Sequence, residues 1–145
     1  MKTRVLTMIA VSLLVAISAG CATSVKTTGN YKGLINTDKS RAAIYVYRES
    51  AIAGMINQYD VLIDEKLVGS LPNGSFFIVN TDAGNKMIRA DTGMGEGSKI
   101  TVKSGDIYCM KLDLNFNVLM KSANISPVSK EQCEKEIRSL REVQL

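Results

Sequence analysis

The three cysteines, at positions 21, 109 and 133, are the side chains of this sequence best suited to covalent chemistry. A thiol can be acylated, can pair in a disulfide, or can attack a substrate when a base activates it. Histidine is absent, and with it the commonest general base and metal ligand. An enzyme built on carboxylates or lysines stays open, but the composition favours a protein that is not an enzyme. We expect no cofactor and no metal.

The segment before Cys21 has the features of a signal peptide. A short basic stretch precedes an apolar run over 5–17, and three small residues follow at 18–20. The apolar region of a signal peptide spans about 7–15 residues, whereas a membrane-spanning helix needs about 20. Residues 1–20 are therefore predicted to be removed from the mature protein.

The ending Ala19-Gly20-Cys21 resembles the lipobox of bacterial lipoproteins, in which the cysteine is acylated and the peptide is cut just before it. Ser18 stands where leucine is usual. The alternative is an ordinary secretory peptide, cut after Ala19 or Ala22, that releases a soluble protein. In the lipoproteins of Gram-negative bacteria that this ending resembles, a residue other than aspartate after the cysteine points to the outer membrane, facing the periplasm.

The mature chain of 125 residues corresponds to one domain. Without the signal it carries 16 Lys and Arg against 14 Asp and Glu, scattered singly. No basic run predicts binding to nucleic acid or to anionic lipid. Residues 21–40 are polar and without a sustained period, which predicts an acylated N-terminus and flexible tether. Residues 41–145 would form the domain.

Short strand patterns separated by turn signals begin at residue 41. No helical pattern lies between them, which predicts an antiparallel β-sandwich or barrel. Pro72-Asn73-Gly74 is a typical tight turn. The predicted strands are 43–48, 59–64, 67–71, 75–80, 86–91, 98–103 and 106–114, with 116–121 as a candidate for the last.

The C-terminal region has the pattern of one helix over 129–142. Ser129 and Gln132 can form a capping box, in which each side chain bonds the other's backbone amide. Cys133, Ile137 and Leu140 recur on one face, which predicts that the helix docks on the sandwich. We therefore predict a mainly β fold, an antiparallel immunoglobulin-like or PEGA-like β-sandwich with one C-terminal helix.

Cys109 and Cys133 are a candidate disulfide pair. In the strand 106–114, Cys109 lies on the face opposite Tyr108 and Met110, where a docked helix would cover it. Cys133 lies on the apolar face of that helix. Acylation of Cys21 would leave Cys109 and Cys133 as the two remaining thiols, and an oxidising compartment would join them in a disulfide. The alternative is two reduced cysteines that act as small apolar residues.

Two further patterns have both a functional and a structural interpretation. Asp60 and Asp64 share a strand face and could form a carboxylate pair, although two solvated residues are the simpler interpretation. Tyr45 and Tyr47 also share a face and could form a binding platform, although a place in the core or at its rim is favoured.

A glycine-rich segment resembles a phosphate-binding loop but precedes a strand pattern, whereas such loops precede a helix. It is better interpreted as a hairpin loop that could face a protein partner. Its residues are Gly93, Met94, Gly95, Glu96 and Gly97.

The predicted strands and turns include Ala43-Ile44-Tyr45-Val46-Tyr47-Arg48, Val61-Leu62-Ile63-Asp64, Lys66, Val68-Gly69, Leu71, Asn73-Gly74, Phe76-Phe77, Gly84 and Gly105-Asp106-Ile107-Tyr108. Over residues 41–114 this pattern resembles an uncharacterised bacterial lipoprotein family, domain of unknown function 2846. The strand and turn element around Asp64 also resembles PEGA modules. Glu65 stands where the family usually has glycine, and Lys86 falls near its usual histidine. The resemblance implies a small sandwich and no catalytic residues.

These features predict an envelope lipoprotein that acts as a non-enzymatic binding or structural module, without a small-molecule ligand. One alternative is an assembly factor or inhibitor with a dedicated protein partner, presenting either 92–97 or Ala51–Asn57. The other is a periplasmic hydrolase that uses Asp60 and Asp64.

Replacement of Cys21 tests the anchor. Each acyl chain contributes about 0.8 kcal/mol per buried CH₂, and two or three chains hold a protein on a membrane. Cys21→Ser should therefore stay unprocessed or be released into the soluble periplasm, while the wild type sediments with membranes and incorporates labelled palmitate. Palmitate in the variant, or a fully soluble wild type, would contradict the assignment.

Overall fold

The computed structural model describes residues 31–92, 97–116 and 121–145. The predicted signal peptide 1–20, the predicted acylation site Cys21 and the residues Gly93 to Glu96 of the glycine-rich loop lie outside these ranges. Gly97, the last residue of that loop, is exposed and directly precedes a strand.

The described residues form nine strands and one helix. In chain order these are β1 Ala42–Arg48, β2 Tyr59–Ile63, β3 Lys66–Leu71, β4 Ser75–Thr81, β5 Gly84–Ala90, β6 Ser98–Val102, β7 Ile107–Phe116, β8 Lys121–Val128, α1 Lys130–Ile137 and β9 Arg141–Glu142.

The strands form two sheets, in the orders β8-β7-β1-β4-β9 and β3-β2-β5-β6. The predicted sandwich with a C-terminal helix is confirmed. Its pairing is mixed, because β1 pairs with β7 and β4 with β9 in parallel. The chain builds the whole second sheet between β1 and β7, and this long crossover lets β7 return in the same direction as β1.

β1 lies at the centre of the five-stranded sheet and is buried on both faces. Ile44 and Val46 point into the core between the sheets. Tyr45 and Tyr47 point to the opposite face, into a second core with Cys133 and other residues of the C-terminal segment. The tyrosine pair therefore belongs to the core, as the simpler interpretation held.

The second core also includes part of the segment that was predicted to be a tether. The Tyr45 hydroxyl donates to the carbonyl of Ile35 and accepts from its amide, both at 2.8 Å. Asn36 is buried and donates to the carbonyls of Arg41 and Asp106. Residues 31–40 are thus packed on the domain, and the prediction of a tether over all of 21–40 is wrong for its second half.

α1 is shorter than the predicted helix 129–142. Ser129 caps it by accepting from the Gln132 amide at 3.1 Å, but the Gln132 side chain donates to Glu136 instead of reaching back. The chain leaves the helix after Ile137 because Arg141 and the residues after it pair with the open edge of β4. Within the described residues no helix is long and apolar enough to span a membrane.

Most of the candidate strand 116–121 lies outside the described residues. The structure has a further long strand that the sequence did not indicate, β8 over Lys121–Val128, which pairs with β7. β8 is an edge strand, which is where a sheet accepts a residue without a backbone N–H such as Pro127.

Asp64 and Glu65 form the two-residue turn between β2 and β3. Both have positive φ, 50° and 64°, as a type I′ turn requires. Asp64 supports the turn by accepting from the amide of Met87 at 2.9 Å, and Glu65 pairs with Arg89.

A disulfide joins Cys109 of β7 to Cys133 of α1, with the Cα atoms 6.1 Å apart. Cys109 lies on the face predicted to be covered by the helix, while Met110 and Leu112 point into the core between the sheets. The bridge therefore fastens the helix to the centre of the sheet.

Reduction should weaken the fold. The bridge spans 24 residues, and closing a loop of that size stabilises a protein by about 3 kcal/mol in the chain-entropy model. A reductant should lower the melting temperature of the wild type but leave the control Cys109→Ala/Cys133→Ala unchanged. Equal melting temperatures with and without reductant, together with two free thiols by mass spectrometry, would contradict the bridge.

Candidate functional site

The two most exposed large apolar side chains of the described residues lie in the connection between β1 and β2. Ile52 is 92 % exposed and Ile56 is 90 % exposed, and Met55 between them is 58 % exposed. Residues 51–57 (AIAGMIN), here called the apolar loop, contain no charged side chain. Apolar side chains grouped at one surface position mark a contact site more often than isolated ones do.

Arg48, the last residue of β1, holds this loop from below. Its side chain is only 2 % exposed. The guanidinium donates to the carbonyls of Gly54 and Asn57, each at 2.8 Å, and lies 5.0 Å from the centre of the Tyr59 ring. Burial lowers the pKa of Arg48, but an arginine remains charged in a protein. A buried cation thus fixes the loop backbone.

The loop is also ordered by its own hydrogen bonds. The amide of Met55 donates to the carbonyl of Ile52 at 3.3 Å, and that of Asn57 to Gly54 at 3.1 Å. Gly54 turns the chain with a φ of 73°, which glycine adopts without strain. At the start of the loop, the amide of Ala51 donates to the Asn73 side chain at 3.0 Å.

A cleft of about 670 Å³ lies beside the loop. It separates the loop from the 72–74 turn and from the segment that joins α1 to β9. The lining combines apolar and polar side chains, among them Met55, Ile56, Asn73, Leu140 and Arg141.

A charged network connects the start of the loop to the second core. The Lys111 ammonium lies 2.5 Å from Glu49 and 2.9 Å from Glu136, and the Tyr47 hydroxyl donates to Glu136 at 2.7 Å. This network links β1, β7 and α1, and its member Glu49 lines the cleft.

The pKa shifts in this network keep its ions charged. Burial opposes the charge on Glu136, but hydrogen bonds from Lys111 and Tyr47 outweigh it and lower the pKa of the carboxyl. Burial likewise opposes the charge on Lys111, but its bonds to Glu49 and Glu136 raise its pKa. A general acid or base needs a pKa near the working pH, so these shifts suit structural ion pairs.

The structure does not bring Asp60 and Asp64 together. They lie at opposite ends of β2, about 13 Å apart at the usual rise of a strand. Asp60 accepts from the Ser70 hydroxyl, and Asp64 from Met87 and Lys86. The bond from the Met87 amide is the main cause that lowers the pKa of Asp64. Over the described ranges, no cluster of three or more Asp, Glu or Cys could hold a metal.

The sequence indicated the apolar loop only as one of two partner-facing segments, and it did not indicate the role of Arg48. The pattern AIYVYR places Arg48 at the end of a strand, where an exposed charge is common. The sequence does contain one indication of this role: Arg48 lies shortly before the segment 51–57, which has no charged side chain.

Arg48→Lys should loosen the apolar loop. A single ammonium cannot reproduce the fork that reaches two carbonyls, so we expect a loss of about 1–3 kcal/mol in the free energy of unfolding. Hydrogen exchange of the 51–57 amides should accelerate more than that of β7. The matched control is Arg41→Lys, whose guanidinium pairs with Asp82 at the surface and should change stability by less than about 0.5 kcal/mol. Equal effects of the two substitutions would show that Arg48 does not fix the apolar loop.

Comparison with known proteins supports the family resemblance. The chain is similar to an uncharacterised protein of Haemophilus influenzae (strain Rd), with 29 % identity over 137 residues, covering 91 % of this chain and 79 % of that protein. No solved structure matches the chain significantly. The family model described as "Protein of unknown function (DUF2846)" matches residues 38–124, more than half of the chain, and so includes β1, Arg48 and the apolar loop. The chain belongs to this family.

Proposed function

We propose that this protein is a lipid-anchored lipoprotein of the bacterial envelope that binds a partner through its apolar loop and catalyses no reaction. The observation that carries the proposal is the exposure of Ile52, Met55 and Ile56 on a loop whose backbone is fixed by buried Arg48. A surface that is already ordered loses little conformational entropy when it binds, so its apolar area contributes more of its energy to affinity.

The anchor is supported by the sequence around Cys21 and by the entry of the chain into the fold. Tyr31 and Leu34 pack against the second core, and Tyr31 lies only ten positions after the proposed acylation site. The acyl chains would hold the protein at the outer membrane, facing the periplasm. The short connection keeps the domain close to that surface.

The absence of catalysis is supported by the state of the polar groups near the cleft. Lys111, Glu49 and Glu136 are engaged with one another. The two aspartates considered for hydrolysis lie at opposite ends of a strand. We therefore do not propose a hydrolase.

Photo-crosslinking from the loop in intact cells tests the proposal. A benzophenone side chain at position 52 should form adducts, with protein or with lipid, far more often than the same group at position 67. Leu67 is a matched control because it is 63 % exposed but lies next to the Asp64-Glu65 turn, at the other end of β2. Equal yields at the two positions would show that the loop is not a preferred contact surface.

A further inference from the structure

We infer that the partner of the apolar loop is the lipid bilayer itself, so that the protein has a second, non-covalent membrane contact beside its acyl chains. This inference rests on the proposed anchor at Cys21. It is carried by the position of the loop relative to Tyr31, by its lack of charge and by the exposure of its isoleucine and methionine side chains.

The N-terminal segment enters the fold at the same end of the sheet as the apolar loop. Tyr31 contacts Phe76, with the ring centres 6.1 Å apart. Phe76 of β4 lies opposite Tyr47 of β1 in the sheet, and Tyr47 directly precedes Arg48. From there the segment runs toward the opposite end, where the Arg41 amide donates to the Asp38 carbonyl at 3.2 Å.

Nine residues separate Cys21 from Tyr31. Even fully extended, this stretch of chain reaches at most about 35 Å. A domain of this size has a radius of gyration of about 14 Å, so the end of the sheet that holds Tyr31 stays near the surface to which Cys21 is attached. A loop held at that end meets the bilayer at a high effective concentration.

The chemistry of the loop fits lipid better than it fits a protein surface. Residues 51–57 offer no ion pair and no charge that would have to be desolvated. Backbone groups that enter the core of a bilayer must be satisfied internally. In this loop the carbonyls of Ile52, Gly54 and Asn57 accept hydrogen bonds, whereas the amides of Ile52 and Ile56 have no partner among the described residues of the protein. The loop backbone therefore stays at the hydrated interface of the bilayer, and only the apolar side chains reach the acyl chains.

The two ends of β2 differ in polarity, and the difference agrees with the apolar loop facing the bilayer. The Asp64-Glu65 turn at the far end carries ion pairs with Lys86 and Arg89, which keep that end in water. The near end presents isoleucine and methionine instead. This contrast orients the domain with the apolar loop toward the bilayer.

Tryptophan fluorescence tests the inference directly, because the chain contains no tryptophan. Full-length acylated I56W is reconstituted in vesicles of phosphatidylethanolamine and phosphatidylglycerol, with and without lipids brominated on their acyl chains. Its emission should shift to shorter wavelength and should be quenched by the brominated lipids. I52W serves as a second reporter with the same expected result. L67W is the control and should keep the emission of a water-exposed indole without quenching.

The outcomes separate failure of the inference from failure of the anchor. Vesicle-bound I56W and I52W that both emit as in water and are not quenched would overturn the inference while the anchor stands. In that case the loop faces a protein partner. If the protein does not incorporate labelled palmitate and does not sediment with vesicles, the anchor fails and the inference falls with it.

Discussion

The structure depends on a central strand that is buried on both faces. β1 alternates Ile44 and Val46 with Tyr45 and Tyr47, and each pair needs its own cover. The second sheet covers the aliphatic pair. The tyrosines need a cover that can also satisfy their hydroxyls, since an unpaired buried polar group is costly. The segment 31–38 provides the backbone of Ile35 for Tyr45, and α1 provides Glu136 for Tyr47.

The cover of the tyrosine face, formed by the segment 31–38 and α1, determines where the candidate contact surface lies. The disulfide fixes α1 over the sheet, and Glu136 then reaches both Tyr47 and Lys111. Lys111 in turn holds Glu49, one residue beyond β1. The chain that leads into the apolar loop is thus tied to the helix and the central sheet.

Strand alternation and helix periodicity made the local features of this fold predictable from the sequence. The faces of β7, the cap at Ser129 and the turn at Pro72-Asn73-Gly74 each depend on a few neighbouring residues. The sequence did not predict β9 or the packing of 31–40, since both depend on an open strand edge or a buried hydroxyl that only the assembled fold creates. Arg48 was missed for the same reason: its role depends on carbonyls six and nine residues away, in a loop without a regular pattern.

Arg48 also connects the fold to the proposed function. Burial of an arginine without a carboxylate partner is unfavourable, and a carbonyl pair with an aromatic ring offsets this only in part. An apolar side chain at position 48 would pack into the same space without that cost, but it would leave the carbonyl of Asn57 without a donor and that of Gly54 with only the Asn57 amide. What the arginine adds is therefore a fixed backbone under Ile52, Met55 and Ile56. That arrangement suits a loop whose side chains leave water on binding while its backbone keeps one conformation.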